Sequence, residues 1–348
     1  MTSQNSASPS VLKRITVLAG GVGGARFTRG LLAHLADQYP AADGEGPSVR
    51  VDVIVNTGDD MWLNGLRVCP DLDTVMYTLG GGIAEDQGWG RPDESRRVSA
   101  EIAAYGRGWD WFTLGDLDLA THIVRTDLLR SGLTLSEATE FLSRRWNPGV
   151  GLLPMSDQPI ETNVRLAEAV DDHAAGDLIH FEEWWVRYGA RVRASEFVQV
   201  GLAEAQPASG VLDAIIAADV VILPPSNPVV SVGCILNVPR VRDALRATKA
   251  RVVGVSPIIS GSAVRGMADQ CLEVIGVETS AAAVGLHYGC RSAGGVLDGW
   301  LIDDADAAAA PVLEAAGLRV AAVPLWMRDT ATSAAIAAEA LALTGLTD

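Results

Sequence analysis

The chain has 348 residues, 48% of them hydrophobic and 20% charged, with a formal net charge of −16. That charge argues against unspecific binding to nucleic acid or a membrane surface, which rests on clustered basic residues, and no apolar run reaches the roughly 18 residues of a membrane span. Four cysteines (Cys69, Cys234, Cys271, Cys290) without a CxxC pair and five histidines without an HxxxH or HExxH pair read as free thiols and no catalytic zinc, so a soluble, cytoplasmic protein is expected.

The polar start, MTSQNSASPSVLKR, lacks the apolar stretch of a signal peptide and reads as a disordered leader over residues 1–13. Residues 14–348 read as a single α/β domain. Short β-branched runs recur, each ending in a special loop. ITVLA (15–19) leads into GGVGGAR, VDVIV (51–55) into NTGDD, VVIL (220–223) into PPSNP, RVVGV (251–255) into SPIISG, and VAAV (320–323) into PLW. Helical patterns lie between them at Arg26 to Gln38, Val211 to Ala218, Pro239 to Ala247 and Thr330 to Leu343. Continuous apolar strands alternating with helices indicate a Rossmann-like, mostly parallel sheet with helices on both faces. From about residue 74 to 172 the alternation breaks into a mostly helical insertion, followed by a smaller β excursion at 178–192. Ligands of such sheets sit beyond the carboxyl ends of the strands, where the loops should converge.

Glycines 20, 21, 23 and 24 follow the first strand. Without a Cβ such a loop turns tightly at positive φ and presents N–H groups to a phosphate, aided by the N-terminus of the next helix and by Arg26; a tight turn without ligand is the alternative. A GxGxxG match from Gly21 fails at Arg26, and the second strand ends at Asn56 rather than at the acid that holds an NAD ribose. No GK[ST] follows either, which leaves a phosphorylated ligand other than NAD or a P-loop nucleotide. Asp59, Asp60, Asp71 and Asp73 then bring four carboxylates within fifteen positions. One or two carboxylates plus phosphate oxygens suit Mg²⁺. Their other reading is a turn at Gly58-Asp59 and a cap by Asp73 on a helix starting near Thr74. LATHIVR places His122 and Arg125 on one helical face, as a structural pair or a functional one. Three prolines hold Ser226 and Asn227 in a rigid loop that offers polar groups to a base or ribose, or only connects strand to helix. Trp62 and Trp109, at loop positions, could stack on a flat heterocycle.

Taken in order, AGGVGGAR, VNTGDD, CPDLDTVMYTLGGGI, LGDLDLATH, PPSNPVVSVG, SPIISG and RGMAD resemble one family over roughly residues 15 to 270: the 2-phospho-L-lactate transferases of coenzyme F-420 biosynthesis (CofD, or FbiA in actinobacteria). The resemblance implies a transferase that joins a phosphorylated three-carbon acid to the deazaflavin Fo. The donor would be a guanosine diphosphate-linked phospholactate or phosphoenolpyruvate, GMP would leave, Mg²⁺ would be required, and the protein would be a homodimer. By the same resemblance Asp59 and Asp71 match the metal carboxylates. Gly20, Gly21, Gly23, Gly24, Arg26, Ser226, Asn227, Pro228 and Ser256 fall with the nucleotide and phosphate contacts. Asp71, Asp73, Thr113, His122 and Arg125 fall on the deazaflavin side. Thr113 stands where many relatives carry a basic residue, and Cys234 where the family usually has proline. Asp59 is also the candidate base. The alternative is a nucleotide-sugar-binding regulatory protein of the same superfamily, sharing the glycine turn and the Ser-Asn-Pro loop; CPDLDT together with LGDLDLATH favours the enzyme.

Overall fold

The computed structural model describes residues 12–42 and 46–346. Most of the expected leader, residues 1–11, therefore lies outside the described residues, while Leu12 is already buried in the core.

β1 (Arg14–Ala19) runs into α1 (Val22–Gln38), then β2 (Arg50–Val55), a hairpin of β3 (Met61–Leu63) and β4 (Leu66–Val68), and four helices: α2 (Pro70–Leu79), α3 (Arg97–Ala104), α4 (Asp116–Arg130) and α5 (Leu135–Trp146). β5 (Gly151–Pro154) returns to the central sheet, and β6 (Glu161–Leu166), β7 (Leu178–His180) and β8 (Ala194–Val200) form a small antiparallel sheet of their own. The second half is α6 (Val211–Ala217), β9 (Val220–Leu223), α7 (Val232–Asn237), α8 (Val241–Ala247), β10 (Arg251–Val255), a short ladder of β11 (Ile258–Ile259) and β12 (Ser262–Ala263), α9 (Ala268–Val274), α10 (Ala281–Tyr288), β13 (Gly299–Ile302), α11 (Ala310–Ala315), β14 (Arg319–Ala322) and α12 (Thr330–Thr344).

The central sheet has the order β14-β13-β10-β9-β1-β2-β5, and every adjacent pair is parallel. The order reverses between β1 and β9, the place where a doubly wound sheet leaves a crevice at its carboxyl ends. Alternation along each strand explains the uninterrupted apolar runs. Leu18, Ile54, Val221, Leu223 and Val252 pack with α6, α7 and α8 on one face, while Val17, Val53, Ile222, Val253 and Leu301 pack with α1, α2 and α12 on the other.

The helical stretch after β2 ends at Trp146, short of residue 172. β5 closes on Pro154, which suits only an edge strand, and β6 buries just Thr162, Val164 and Leu166 between the polar Glu161, Asn163 and Arg165, a pattern with little apolar signal. The expected β excursion at 178–192 is mostly not strand. Phe181, Trp184 and Tyr188 are buried at helical spacing, and Glu183–Arg187 form a π-helical turn.

α1 and α12 lie unusually close. A Cβ added at Gly30 would overlap both the backbone and the side chain of Ser333 in the alanine-rich α12. Replacing Gly30 by alanine is expected to destabilise the protein by about 1–3 kcal/mol, the usual cost of overpacking, read from the midpoint of urea unfolding; an unchanged midpoint would show that the two helices separate freely.

Candidate functional site

The loops after β1, β2 and β9 meet at the reversal of strand order. The Gly20 N–H donates to Ser226 Oγ at 3.3 Å. A Cβ on Gly23 would overlap the Pro225 carbonyl oxygen, and one on Gly21 would overlap Asp71 Oδ1. Among the described residues of positive φ, none of these glycines appears. The expected positive-φ turn is thus replaced by a different requirement. α1 starts at Val22, so Gly23 and Gly24 already lie in its first turn, and the missing side chains admit the neighbouring loops to the backbone. The N–H groups of that first turn have no intrahelical acceptor.

Asn56, at the end of β2, organises the acids. Its Oδ1 accepts from the Gly58 N–H at 2.9 Å, and its Nδ2 donates to Asp71 Oδ2 at 2.9 Å and to Asp59 Oδ2 at 3.3 Å. α2 begins at Pro70, where proline suits the first helical position, and not near Thr74. Asp71 and Asp73 consequently stand in its first turn, and Asp73 is not a cap. The Gly21 N–H is a second donor to Asp71. Glu182, after β7, is 4% exposed and lies within Coulombic reach of both Asp59 and Asp71.

Burial, then the neighbouring charges of Asp71, Glu182 and Asp60, pushes the Asp59 carboxyl well above the ordinary range. Burial pushes Asp71 up to about 6 against the pull of Asn56 and Gly21. Burial and then Asp71 push Glu182 up to about 8. Asp59 Oδ1 is buried without a hydrogen-bond partner. Among the described residues no basic side chain lies within 4.0 Å of these three carboxylates.

The other buried acids nearby have cations, although both oxygens of Asp60, like Asp59 Oδ1, lack a hydrogen-bond partner and burial pushes its carboxyl up to about 7 against the pull of Arg67. Arg67, 4% exposed, stands between Asp60 at 3.6 Å and Glu161 at 2.7 Å. Arg125 engages both oxygens of Asp73 and also bonds His122 Nδ1 at 3.2 Å, while His122 Nε2 lies 3.3 Å from Asp118 Oδ2. Tyr77 donates to Asp118 Oδ1 at 2.7 Å. Burial would raise Asp118, but His122 and Tyr77 hold it below the ordinary range. Asp73, Asp118 and His122 each bring a ligand atom within 4.8 Å of the others, so this group could hold a metal ion. Its charge, however, is already met by Arg125, whereas the charge of Asp59, Asp71 and Glu182 is not.

The remaining expected residues divide. Gly20, Gly21, Gly23, Gly24, Ser226, Asp59 and Asp71 come together. Asn227 turns inward, its Oδ1 accepting from the N–H groups of Val229 and Val230 at 2.9 and 3.2 Å. The Ser256 hydroxyl closes its own loop on the carbonyl and N–H of Ile258. Arg26 reaches the Glu85 carbonyl at 3.5 Å. His122 and Arg125 are each 1% exposed inside the ion network, while Thr113 is exposed just ahead of α4. Trp62 is half-exposed under the Arg67 guanidinium, and Trp109 stacks on Trp111 at 4.6 Å. Glu182 and Arg67 went unnoticed in the sequence; the available signal for Glu182 was a carboxylate flanked by Phe181 and Trp184, both buried. Two depressions, of about 370 Å³ beside Glu273 and about 220 Å³ beside Thr162 and Cys234, include neither Asp59 nor Asp71.

Comparison with known proteins gives three findings. The profile of a family described as 2-phospho-L-lactate transferase CofD matches residues 15–323. Proteins named phosphoenolpyruvate transferase are similar across nearly their whole length: one from Nocardia farcinica is 52% identical, covering 99% of each chain, and one from Thermobifida fusca is 57% identical, covering 95% of this chain and 97% of the relative. A crystal structure of a UPF0052-family protein from Bacillus halodurans superposes with a TM-score of 0.60 at 16% identity, covering 95% of this chain and 99% of that one, a likeness of fold.

The raised carboxyls set the pH dependence of the metal-free chain. Glu182 titrates at about 8 in the fold against 4.5 ordinarily, and Asp59 and Asp71 are displaced in the same direction. The folded chain therefore binds more protons than the unfolded one across that window, and stability falls as pH rises through it. Urea unfolding in the presence of a chelator should show a declining free energy from about pH 5 to about pH 8; a flat or rising profile would contradict the burial of these acids in ionisable form.

Proposed function

The chain belongs to the CofD family of 2-phospho-L-lactate transferases and is a transferase of coenzyme F-420 biosynthesis, and from that premise we propose that it moves a phosphoenolpyruvyl group from a guanosine diphosphate-linked donor to the deazaflavin Fo, releasing GMP. The enolpyruvyl rather than the lactyl donor is favoured by the name that the relatives at 52% and 57% identity carry. The observation that carries the reading is the pair Asp59 and Asp71. Two acids out of water, bridged by one neutral amide beside the glycine-bearing start of α1, suit a cation shared with a diphosphate.

The donor phosphates would lie over the first turn of α1, where unbonded N–H groups and the positive end of a 17-residue helix receive negative charge. The Ser226 loop closes this cradle from β9. Asp59 and Asp71 would hold Mg²⁺, and the orphaned Asp59 Oδ1 fits a ligand role. Bound there, Mg²⁺ neutralises charge that develops on the transferred and leaving oxygens. A carboxylate engaged with a cation is a poor base, so we assign Asp59 to the cation and not to proton removal. Phosphoryl transfer of this kind depends on positioning and charge stabilisation more than on a protein nucleophile.

On the acceptor side, Asp73, His122 and Arg125 form a rigid buried wall rather than free contacts. Thr113, Trp62 and Trp109 are accessible, and the two indoles would offer flat apolar faces to the deazaflavin.

Asp59→Asn and Asp71→Asn should each lower transfer by roughly 10²-fold or more, the scale of losing one preorganised charge interaction, while leaving the fold intact by circular dichroism. The assay is incubation with Fo, Mg²⁺ and each candidate donor, followed by mass analysis. Product from the enolpyruvyl donor at the higher kcat/KM is expected. Wild-type turnover in either variant would remove the cation assignment, and no deazaflavin product from any donor would remove the reaction.

A further inference from the structure

We propose that residues 92–108, which carry α3, form a lid over the crevice, and that a reciprocal clasp between Glu94 and Asp116 is its catch. This rests on the reading that the donor lies at the start of α1.

α3 stands apart from the rest of the fold. It is the one α-helix among the described residues that buries none of its side chains. Only Ser99 and Ile102 are half-buried, while Val98 and the following Tyr105 are exposed. Packing of an apolar face is what ordinarily holds a helix to its domain, so α3 has to be held by other means. Its two flanks are turning points. Asp93 precedes it at a φ of 56°, and Gly106 and Gly108 follow it at 68° and 78°, all in the left-handed region. Outside those flanks the chain is fixed. Arg265 donates to the Gln87 carbonyl, Arg91 lies over the Trp146 ring at 4.8 Å, and Leu114 is buried.

The hold on α3 is polar and mutual. The N-cap positions of α3 and α4 are Arg96 and Gly115, and neither supplies a side-chain acceptor. Each helix borrows a carboxylate from the other instead. Glu94 accepts from the N–H groups of Leu117 and Asp118, both at 2.8 Å. Asp116 accepts from those of Arg97 and Val98, at 3.2 and 3.1 Å, and from the Ser95 hydroxyl. The Asp116 N–H donates to the Ser95 carbonyl at 2.8 Å. A Cβ on Gly115 would overlap the Glu94 carboxyl, so the glycine is what admits that carboxyl to the start of α4. Carboxylates on the free N–H groups of two helix starts stabilise both. Most of these bonds are exposed to water, and contacts of that kind open without unfolding the core.

The segment also starts and ends at the crevice. A Cβ added at Gly88, just ahead of it, would stand 3.1 Å from Cγ1 of Val22, the first residue of α1. One added at Gly108 would stand 3.4 Å from Nδ2 of Asn64, at the tip of the β3–β4 hairpin. α1 follows β1 and the hairpin follows β2, so both ends rest on loops at the carboxyl ends of the sheet. The clasp also reaches the buried network: Glu94 accepts from the N–H of Asp118, whose carboxylate holds Tyr77 and His122. A lid in this place sequesters the transfer from water and opens for substrate and product.

Hydrogen exchange of the full-length protein, read by mass spectrometry, tests the lid. Without ligand, the α3 amides should exchange well before those of the middle of α1 and of α12. Glu94→Ala and Asp116→Ala should each speed α3 exchange by about 5-fold, the scale of a lost helix cap, and leave α12 unchanged. GDP with Mg²⁺ and Fo together should slow α3 exchange, and either variant should weaken that protection. Amides of α3 that exchange only together with α12 would overturn the lid, and variants that exchange like the wild type would overturn the catch. If the ligands slow exchange at the start of α1 and leave α3 unchanged, the lid is overturned and the donor reading stands. If they slow neither, the donor reading falls and the role of the lid with it.

Discussion

Carboxyl groups held out of water without a counter-charge are the constraint on which this structure turns. Asp59, Asp71 and Glu182 come from three segments, the loop after β2, the first turn of α2 and the end of β7, and no arginine or lysine among the described residues joins them. Such an arrangement persists by holding protons, as the raised carboxyls do, or by taking up a cation. Elsewhere the same chain pairs buried acids with arginine, Asp60 and Glu161 with Arg67 and Asp73 with Arg125. On the proposed reading, an acidic protein would meet an anionic donor with backbone N–H groups and a cation in place of a basic surface.

The glycines acquire their meaning from this cluster. Asp71 can lie against the start of α1 because Gly21 has no side chain, and the proline loop after β9 can close because Gly23 has none. Loop and helix are thereby drawn into one rigid floor at the reversal of strand order. The proposed phosphate and cation positions would consequently share that floor. Adding a methyl group at Gly21 would displace the Asp71 carboxylate.

Much of the fold was legible in the sequence, for a physical reason. β1, β2, β9 and β10 are buried on both faces, so their apolar runs are continuous and end sharply at polar loops. β5, β6 and β13 are short, edge-bound or half-polar, and they escape such a reading. In the site, Asp59 and Asp71 stand close in sequence and announce themselves. Glu182 does not, because only the folding of the small sheet onto the loop after β9 brings it near. The glycine run was legible as a place of close approach but not for what approaches: a carboxylate and a carbonyl of the chain itself. His122 and Arg125 were legible as a helical pair, whereas their enclosure by Asp73, Asp118 and Tyr77 depends on how α4 packs against α2. The likeness to the Bacillus halodurans structure extends to the fold, and the likeness to the phosphoenolpyruvate transferases, at 52% identity and more, carries the reaction class.

The most direct measurement is the anomalous diffraction of a crystal grown with Mn²⁺ and GDP. The account predicts one strong peak within coordination distance of Asp59 and Asp71, next to the diphosphate over the start of α1. A peak among Asp73, Asp118 and His122 instead, or a diphosphate bound there with no ion beside Asp59, would contradict it.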